Sequence, residues 1–466
     1  MKSSEKRFSK IAKVVGLIVF AVIALVPFHA FFTTWIGSNT GGLLLVRSWK
    51  EVLVLVATVL SIWLLIKDTS LRATIFNRTI NKAIVLFSLY LLLVSIILVR
   101  DPDALALGLV IQLRLYVVFL LAQIVTYYKQ PSRKFLLALI LIPSMAVVVF
   151  GLLQLFALPV SFLAHFGYQK ELTIPPFFTI DNQLNKIRIA STLRGPNPLG
   201  VYLIIPISLL CALISRHVRR AIQKGFKKPL AYQTVLAVLF LAASLVVLYG
   251  SQSRSAWLGL VASLATMLFL VSRSKIRFLL IGLSVVIVLS TGISVYHWRN
   301  TTFVQDIVLH DNPIEGGKVS SNQGHISALT DATNDIKKHP VVGCGAGCAG
   351  PASVHNKAGT KLAENYFVQT AQEGGLLGLA FLLVIFGMVF RELLKKLDML
   401  SVVMLGTFVG IGVASLLSHA WADDTIAYLW WGTAGLLVNS YSQLGSATAN
   451  AKNPHTSVQA SSSPST

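Results

Sequence analysis

Apolar runs of about 20 residues recur from one end of this chain to the other, and each is long enough to cross a hydrocarbon core about 30 Å thick. Twelve such runs can be drawn, at about 12–33, 43–66, 83–99, 104–126, 135–158, 198–215, 231–250, 255–272, 277–297, 375–390, 399–418 and 425–441. Backbone polar groups inside a bilayer must be satisfied within the segment, so these runs are expected to be helices. Composition agrees: 55% of the 466 residues are hydrophobic, 12% are charged, and the mean hydropathy is +0.71. The expected fold is all-α and polytopic, with about 12 transmembrane helices. The first run has no small-residue cleavage site before the second, which fits a retained helix rather than a removed signal peptide.

A net charge of +22 raises the question of a nucleic-acid partner. The positions of the cations answer it, because 25 of the 40 Lys and Arg fall in loops on one side of the spans, in the groups Lys2–Lys13, Lys67–Lys82, Lys129–Lys134, Arg216–Lys228, Arg273–Arg277, Arg391–Lys396 and Lys452. That alternation is the positive-inside pattern of an inner-membrane protein. It excludes the nucleic-acid reading and places both termini in the cytoplasm. It also divides the chain into an N-terminal bundle of about five helices (1–158), a first outer loop (159–197), central helices (198–297), a large extracytoplasmic loop (298–374), C-terminal helices (375–441) and a disordered cytoplasmic tail (442–466) rich in Ser, Ala, Thr, Asn and Pro. Cys344 and Cys348 lie in the large loop, where an oxidising compartment permits a disulfide; their spacing permits the bond without demanding it.

Three arginines stand out by position. Arg194, in STLRGPNPLG, ends one outer loop beside Asn197, and Arg254, in GSQSRSAWLG, follows a short outer turn beside Ser253. A guanidinium there can grip a phosphate or carboxylate through two parallel hydrogen bonds. A lone interfacial Arg is ordinarily a snorkelling anchor; two on one face beside Ser, Asn and Pro turns weaken that reading. Arg114 falls near the middle of its span, where a charge faces a cavity or a structural partner. GCGAGCAG (343–350) has the form G-x-G-x-x-G, but a dinucleotide site needs a cytoplasmic strand–turn–helix setting. As an outer glycine turn, with Gly345 at its centre, it can still aim backbone N–H groups at an anion. His310, His325, His339 and His355 follow no compact ligand spacing and read as solvated, so no protein-bound metal is expected.

The remaining stretch is LAENYFVQTAQEGGLLG, 362–378. As a helix over 363–373 it sets Asn365, Gln369 and Gln372 on one stripe and holds Glu364 near the level of the two outer arginines. A local ion pair with Lys361, or an acid at a helix N-terminus, explains Glu364 equally simply.

Four of these segments in this order resemble the O-antigen ligase and polymerase family of bacterial membrane glycosyltransferases: R-G-P-N-P at 194–198, S-x-S-R at 251–254, H-P-V-V-G-C-G-A-G at 339–347, and the 362–378 stretch. The likeness covers roughly 190–440. Ligases of the family carry His, then Asn, Ser or Gln, nine residues, and G-x-x-G. Here Glu364, Asn365, residues 366–374, Gly375 and Gly378 fill that frame, with Glu in the place of His. Polymerases and other surface-glycan ligases of the family often lack the histidine, so lipid A as acceptor is not implied.

The resemblance implies a GT-C-like architecture and a metal-independent glycosyl transfer outside the cytoplasmic membrane, with no cofactor. Glycan would pass from a polyprenyl (undecaprenyl) pyrophosphate donor to a hydroxyl on a glycan, lipid or protein acceptor, as in surface polysaccharide and lipopolysaccharide assembly. Arg194 and Arg254 would stabilise the departing pyrophosphate, and Glu364 would accept the acceptor proton or, as a weak base beside arginines, merely orient it. Asn365, Tyr366, Asn197, Ser253, Arg114 and Gly345 are the candidates for substrate contact. Ligase is favoured over polymerase, and from another class a lipid-linked glycan flippase or polysaccharide transporter shares the size, span count and basic loops.

Overall fold

The computed structural model describes residues 2–180, 183–223, 232–273, 321–357 and 359–438, with isolated positions between 277 and 301. The first eight helices are α1 (Lys2–Leu25), α2 (His29–Thr40), α3 (Leu43–Arg47), α4 (Trp49–Lys67), α5 (Thr69–Phe76), α6 (Thr79–Leu98), α7 (Pro102–Tyr128) and α8 (Arg133–Phe156). A two-stranded antiparallel ribbon, β1 (Phe178–Ile180) and β2 (Gln183–Arg188), interrupts the first outer loop. Then come α9 (Pro196–Gln223), α10 (Tyr232–Ser251), α11 (Arg254–Val271), α12 (Ser321–Lys338), α13 (Tyr366–Leu394) and α14 (Met399–Ala414). The described chain ends in a broken helix: α15 (Asp424–Ile426), a π turn (Ala427–Trp431) and α16 (Gly432–Val438).

Among the described residues nine helical stretches are long and apolar enough to cross a membrane, against the twelve expected runs. Of the other three, α14 has 16 residues, the 425–441 run is the broken helix, and 277–297 falls largely outside the described residues. The chain is an all-α polytopic membrane protein. Its helices carry lipid-facing apolar stripes at helical spacing, such as Val52, Leu55, Val59, Ile62 and Ile66 on α4 and Leu86, Leu89, Leu93 and Ile97 on α6. Hydrophobicity does not drive helices together in lipid, so close backbone packing and polar pairs must do it. At the α11–α14 contact, a Cβ on Gly259 would lie 2.6 Å from the Gly410 carbonyl oxygen, and the Ser208 and Ser263 hydroxyls meet at 2.8 Å between α9 and α11. Asn81 and Gln123 exchange two amide hydrogen bonds between α6 and α7.

The basic turns after α5, α7 and α13 gather at one end of the bundle. There Arg133 pairs with Asp398 at 3.0 Å, and Lys396 Nζ donates to the Leu437 carbonyl at 3.1 Å. At the opposite end the segments around 189–197, 250–254, 364–366 and 415–424 meet, through Ile189 N to the Gly250 carbonyl (3.1 Å), Tyr366 N to the Ser415 carbonyl (3.0 Å) and Arg194 to Asp423 (3.1 Å).

Candidate functional site

Helix α13 starts at Tyr366, three residues later than expected, because Asn365 caps it: its Oδ1 accepts from the amides of Phe367 and Val368 at 3.0 and 3.1 Å. Two further bonds tie this helix start to the loop after α14. Tyr366 N donates to the Ser415 carbonyl at 3.0 Å, and Asn365 Nδ2 donates to the Leu416 carbonyl at 3.0 Å. Glu364, immediately before the cap, takes φ 51°, a left-handed conformation uncommon for a residue with a Cβ. The fixed residues that follow it hold that conformation, and they deliver Glu364 to the 415–424 loop.

That loop is tightly folded. The amides of Ala422 and Asp423 both donate to the His419 carbonyl at 3.0 and 3.1 Å, and Asp423 Oδ1 caps the next helical turn at Thr425 N, 3.0 Å away. Trp421 is fully buried and packs edge-on against Phe386 and Trp430, which fixes the floor. From the middle of α7, the guanidinium of Arg114 donates to the Ala422 carbonyl. The partner of the mid-span arginine is therefore this loop's backbone.

A cavity of about 330 Å³ opens between these elements, lined by Arg194, Asn197, Glu364, Ser418, His419 and Asp423 among others. Arg194 donates to Asp423 Oδ2 at 3.1 Å; the arginine side chain is 51% exposed and the aspartate 5%. A second cavity, also about 330 Å³, lies on the other side of Arg194 and is lined by His29, Arg47 and Asp424 as well. The carboxylate of Asp424 meets Lys50 at 3.2 Å and His29 at 3.6 Å. Burial works against its charge, but Lys50, Arg114, His29 and Arg194 together hold its pKa well below the usual carboxylate range. Burial raises that of Asp423, with the neighbouring Asp424 charge adding to the rise against Arg194.

His419 is the imidazole on the first cavity's wall. Burial foremost, with Arg194 adding to it, lowers its pKa to about 4, while Glu364 opposes the fall. Its Nε2 is buried and makes no hydrogen bond.

Three expected site residues, Arg194, Glu364 and Asn197, thus line one cavity. Arg254 and Ser253 lie at the start of α11, next to it through Arg188: Arg188 Nη2 donates to Asn197 Oδ1 at 2.6 Å, and its Nε to the Ser251 carbonyl at 2.9 Å. Burial and the charge of Arg254 lower the pKa of Arg188 to about 10. Ser253 is buried at the helix start. Asn365 is occupied with capping, and Tyr366 is fully buried rather than on the cavity wall. Gly345 lies elsewhere, its amide donating to the Glu373 carbonyl at 2.8 Å.

The glycine-rich loop is a packing element. Cys344 and Cys348 are joined in a disulfide. The Ala346 amide donates to Ser95 Oγ on α6 at 2.8 Å, and the side chain of Glu373, 1% exposed, accepts from Gly347 N at 2.9 Å and from Gln112 Nε2. His339 and His355 are exposed, and His310 lies outside the described residues. Among the described residues no three His, Cys, Asp or Glu side chains converge as a metal-binding group.

Sequence reasoning missed Arg188, His419, Asp423 and Asp424. The SHAWADD turn carried a usable signal, a polar cluster between two apolar runs on the same face as Arg194 and Arg254. Arg188 carried none, since a basic residue in a polar loop is unremarkable.

No curated protein matches the chain. Residues 237–383 match the family model described as O-antigen ligase, a stretch that runs from α10 into α13 and contains Arg254, the glycine-rich loop and Glu364. Over that α10–α13 stretch, which presents Glu364 to the cavity within an all-α polytopic bundle, the chain is similar to the O-antigen ligase family.

Proposed function

We propose that the chain is a glycosyltransferase of O-antigen ligase type, moving glycan from a polyprenyl-pyrophosphate donor to an acceptor hydroxyl at the outer face of the cytoplasmic membrane, with both termini inside. The observation that carries this reading is the cavity where Arg194, Asn197, Glu364 and His419 meet, at the end of the bundle opposite the basic loops. The acceptor oxygen attacks the anomeric carbon, the bond from that carbon to the pyrophosphate oxygen breaks, and the leaving group gains one negative charge. Arg194 on the cavity wall, with Arg188 and Arg254 beside it, supplies positive charge where that charge develops, so the reaction proceeds without a metal ion. Like-charged guanidiniums held close together favour an anion between them. Asn197, fixed by Arg188, orients the group bound there.

Polymerisation is the second reading, favoured by Glu364 standing where family ligases carry histidine. The test is the length and leaflet of lipid-linked glycan in cells carrying only the Glu364→Ala protein at normal membrane levels. Long polymer on its lipid at the outer leaflet marks a ligase, and single repeat units there mark a polymerase. Glycan trapped on the inner leaflet marks a flippase and overturns the enzyme reading.

A further inference from the structure

We infer that a third cavity, between α9, α11 and α14 at the basic end of the bundle, binds an anionic phospholipid, with an acyl chain among the helices and the phosphate on Arg216, Arg219 and Arg220. The inference goes beyond the glycosyltransferase reading and does not depend on it. The cavity holds about 390 Å³. Its walls are apolar: Ala212 from α9, Leu264, Met267 and Leu268 from α11, and Met399 and Val402 from α14. Packing explains why the space exists. Further into the bundle the three helices are locked together, by the Ser208–Ser263 hydroxyl pair at 2.8 Å and at Gly406, where a Cβ would lie 2.8 Å from the Ser263 carbonyl oxygen. Toward the basic end α9 presents the small Cys211 and Ala212, and α14 begins only at Met399, so the helices leave a gap. Leu268 and Val271 on its wall are each 48% exposed, apolar surface that an acyl chain would cover.

The arginines at the mouth set the chemistry it takes. Helix α9 starts at Pro196, packs its first turn against Ser251 and Ser253 at the opposite end, and runs for 28 residues. At about 1.5 Å per residue it crosses a hydrocarbon core of about 30 Å in about 20 residues, which brings Arg216 to the level of the lipid phosphates and Arg219 and Arg220 one turn beyond. Spacings of three and four put the three on one face of the helix, and all three line the cavity and are exposed. Arginines at a helix end ordinarily snorkel or mark topology. Here the charge is left unbalanced by the chain. The sequence contains no Asp or Glu from 182 to 305, so α9, α11 and the loops that leave them supply no counter-charge. The nearest acids on the α13–α14 side are engaged: Glu392 pairs with Lys395, and Asp398 pairs with Arg133 while capping Ser401 N at 2.9 Å. Among the described residues none hydrogen-bonds or ion-pairs with Arg216, Arg219 or Arg220.

A phospholipid with net negative charge matches both halves of the site. Its phosphate accepts charge-assisted hydrogen bonds from the guanidiniums, and a basic cluster at a pocket between membrane helices is the arrangement that takes acidic headgroups. A zwitterionic headgroup brings its own cation, which three guanidiniums repel, and free phosphate leaves the apolar walls uncovered. The bound lipid would tie together helices whose other ends frame the first cavity: α9 begins two residues after Arg194, and α14 leads into the 415–424 loop that carries Asp423.

The experiment titrates phosphatidylglycerol against the full chain in phosphatidylcholine nanodiscs and reads bound lipid by native mass spectrometry. Joint replacement Arg216→Gln, Arg219→Gln and Arg220→Gln should weaken binding about 100-fold, since each basic residue at the surface contributes about fivefold. Lys10→Gln, Arg72→Gln and Lys129→Gln together remove as much charge from the same end, away from the cavity, and should leave binding within about twofold because solvent ions screen them. Ala212→Phe inside the cavity and Ser215→Trp at its mouth fill space without touching charge, and each should weaken binding about tenfold by excluding about two methylenes. Equal losses in the two triple variants would reduce the effect to the general charge of that end and overturn the inference, as would unchanged binding in both space-filling variants. Phosphatidylcholine retained as tightly as phosphatidylglycerol, or phosphatidylglycerol displaced by inorganic phosphate, would overturn it too. Tighter binding of polyprenyl phosphate than of phosphatidylglycerol would give the cavity a different occupant and overturn the assignment.

Discussion

Replacing Gly375 by alanine tests the architecture of the site at its most constrained point. Gly375 interrupts α13 with φ 66° and ψ −174°, a region of backbone space essentially reserved for glycine. A Cβ there would fall on the Val341 carbonyl and 2.6 Å from the Val342 nitrogen, both backbone atoms that cannot swing away. The forbidden backbone geometry costs about 1–3 kcal/mol. Relief of the clash separates α13 from 340–342, breaking the bonds from Leu376 N to the Pro340 carbonyl (2.8 Å) and from Leu377 N to the Val341 carbonyl (3.3 Å), at about 1 kcal/mol each. Gly375→Ala should therefore destabilise the protein by about 3–5 kcal/mol. Gly378 is the control, since a Cβ there meets only ordinary contacts, the nearest at 3.7 Å. Gly378→Ala should be neutral or stabilising by up to about 1 kcal/mol, the helix-propensity difference. Reversible unfolding in mixed SDS micelles reads both variants. Gly375→Ala within about 0.5 kcal/mol of wild type, on the order of the assay error, would refute the claim that a glycine-only kink positions the segment.

Three further outcomes are expected. Glu373→Ala should destabilise by about 2–6 kcal/mol in the same assay, because it strands the buried Gly347 amide and Gln112 amide at about 1–3 kcal/mol each. Arg188→Ala should weaken donor binding by about 10–100-fold, the worth of a charged hydrogen bond, and Arg188→Lys should restore only part of it because the fork to Asn197 and Ser251 is lost, as read by titration of the donor into nanodiscs. Transfer by the purified protein should be unchanged by a chelator such as EDTA, measured as product formed per minute.

The helices were legible because their signals are local. Apolar runs of bilayer length and basic loops on alternate turns need no knowledge of packing, and they mark the bundle and the two groups of loops at its ends. Arg194 and Glu364, which line one cavity, stand out in the sequence for the same reason, as polar residues where apolar runs begin or end. What was not legible depends on which helices are neighbours. The partner of Arg114 is 308 residues away, and that of Arg194 is 229 away. The helix start at Tyr366 lies three residues beyond the expected one because Asn365 does not join a helix face; its short amide competes for the first free amides and caps the helix.

The two acids of the 362–378 stretch show what a motif leaves undecided. Glu364 and Glu373 are nine residues apart, both in polar surroundings, and either can be read as the reactive acid. Tertiary packing separates them. Glu373 is turned inward, where its side chain accepts from the glycine loop and from α7, and in that position it cannot reach a substrate without breaking the bonds that hold the loop. Glu364 precedes the cap, outside the helix, and the 415–416 carbonyls fix its position beside His419. The same segment thus anchors its inner end to the disulfide loop, turns at Gly375 and presents its outer end to the cavity. The fixed residues of the frame then divide the physical work among them. Asn365 caps the helix start, Gly375 permits the kink, and the residue before Asn365 is the one left facing the cavity.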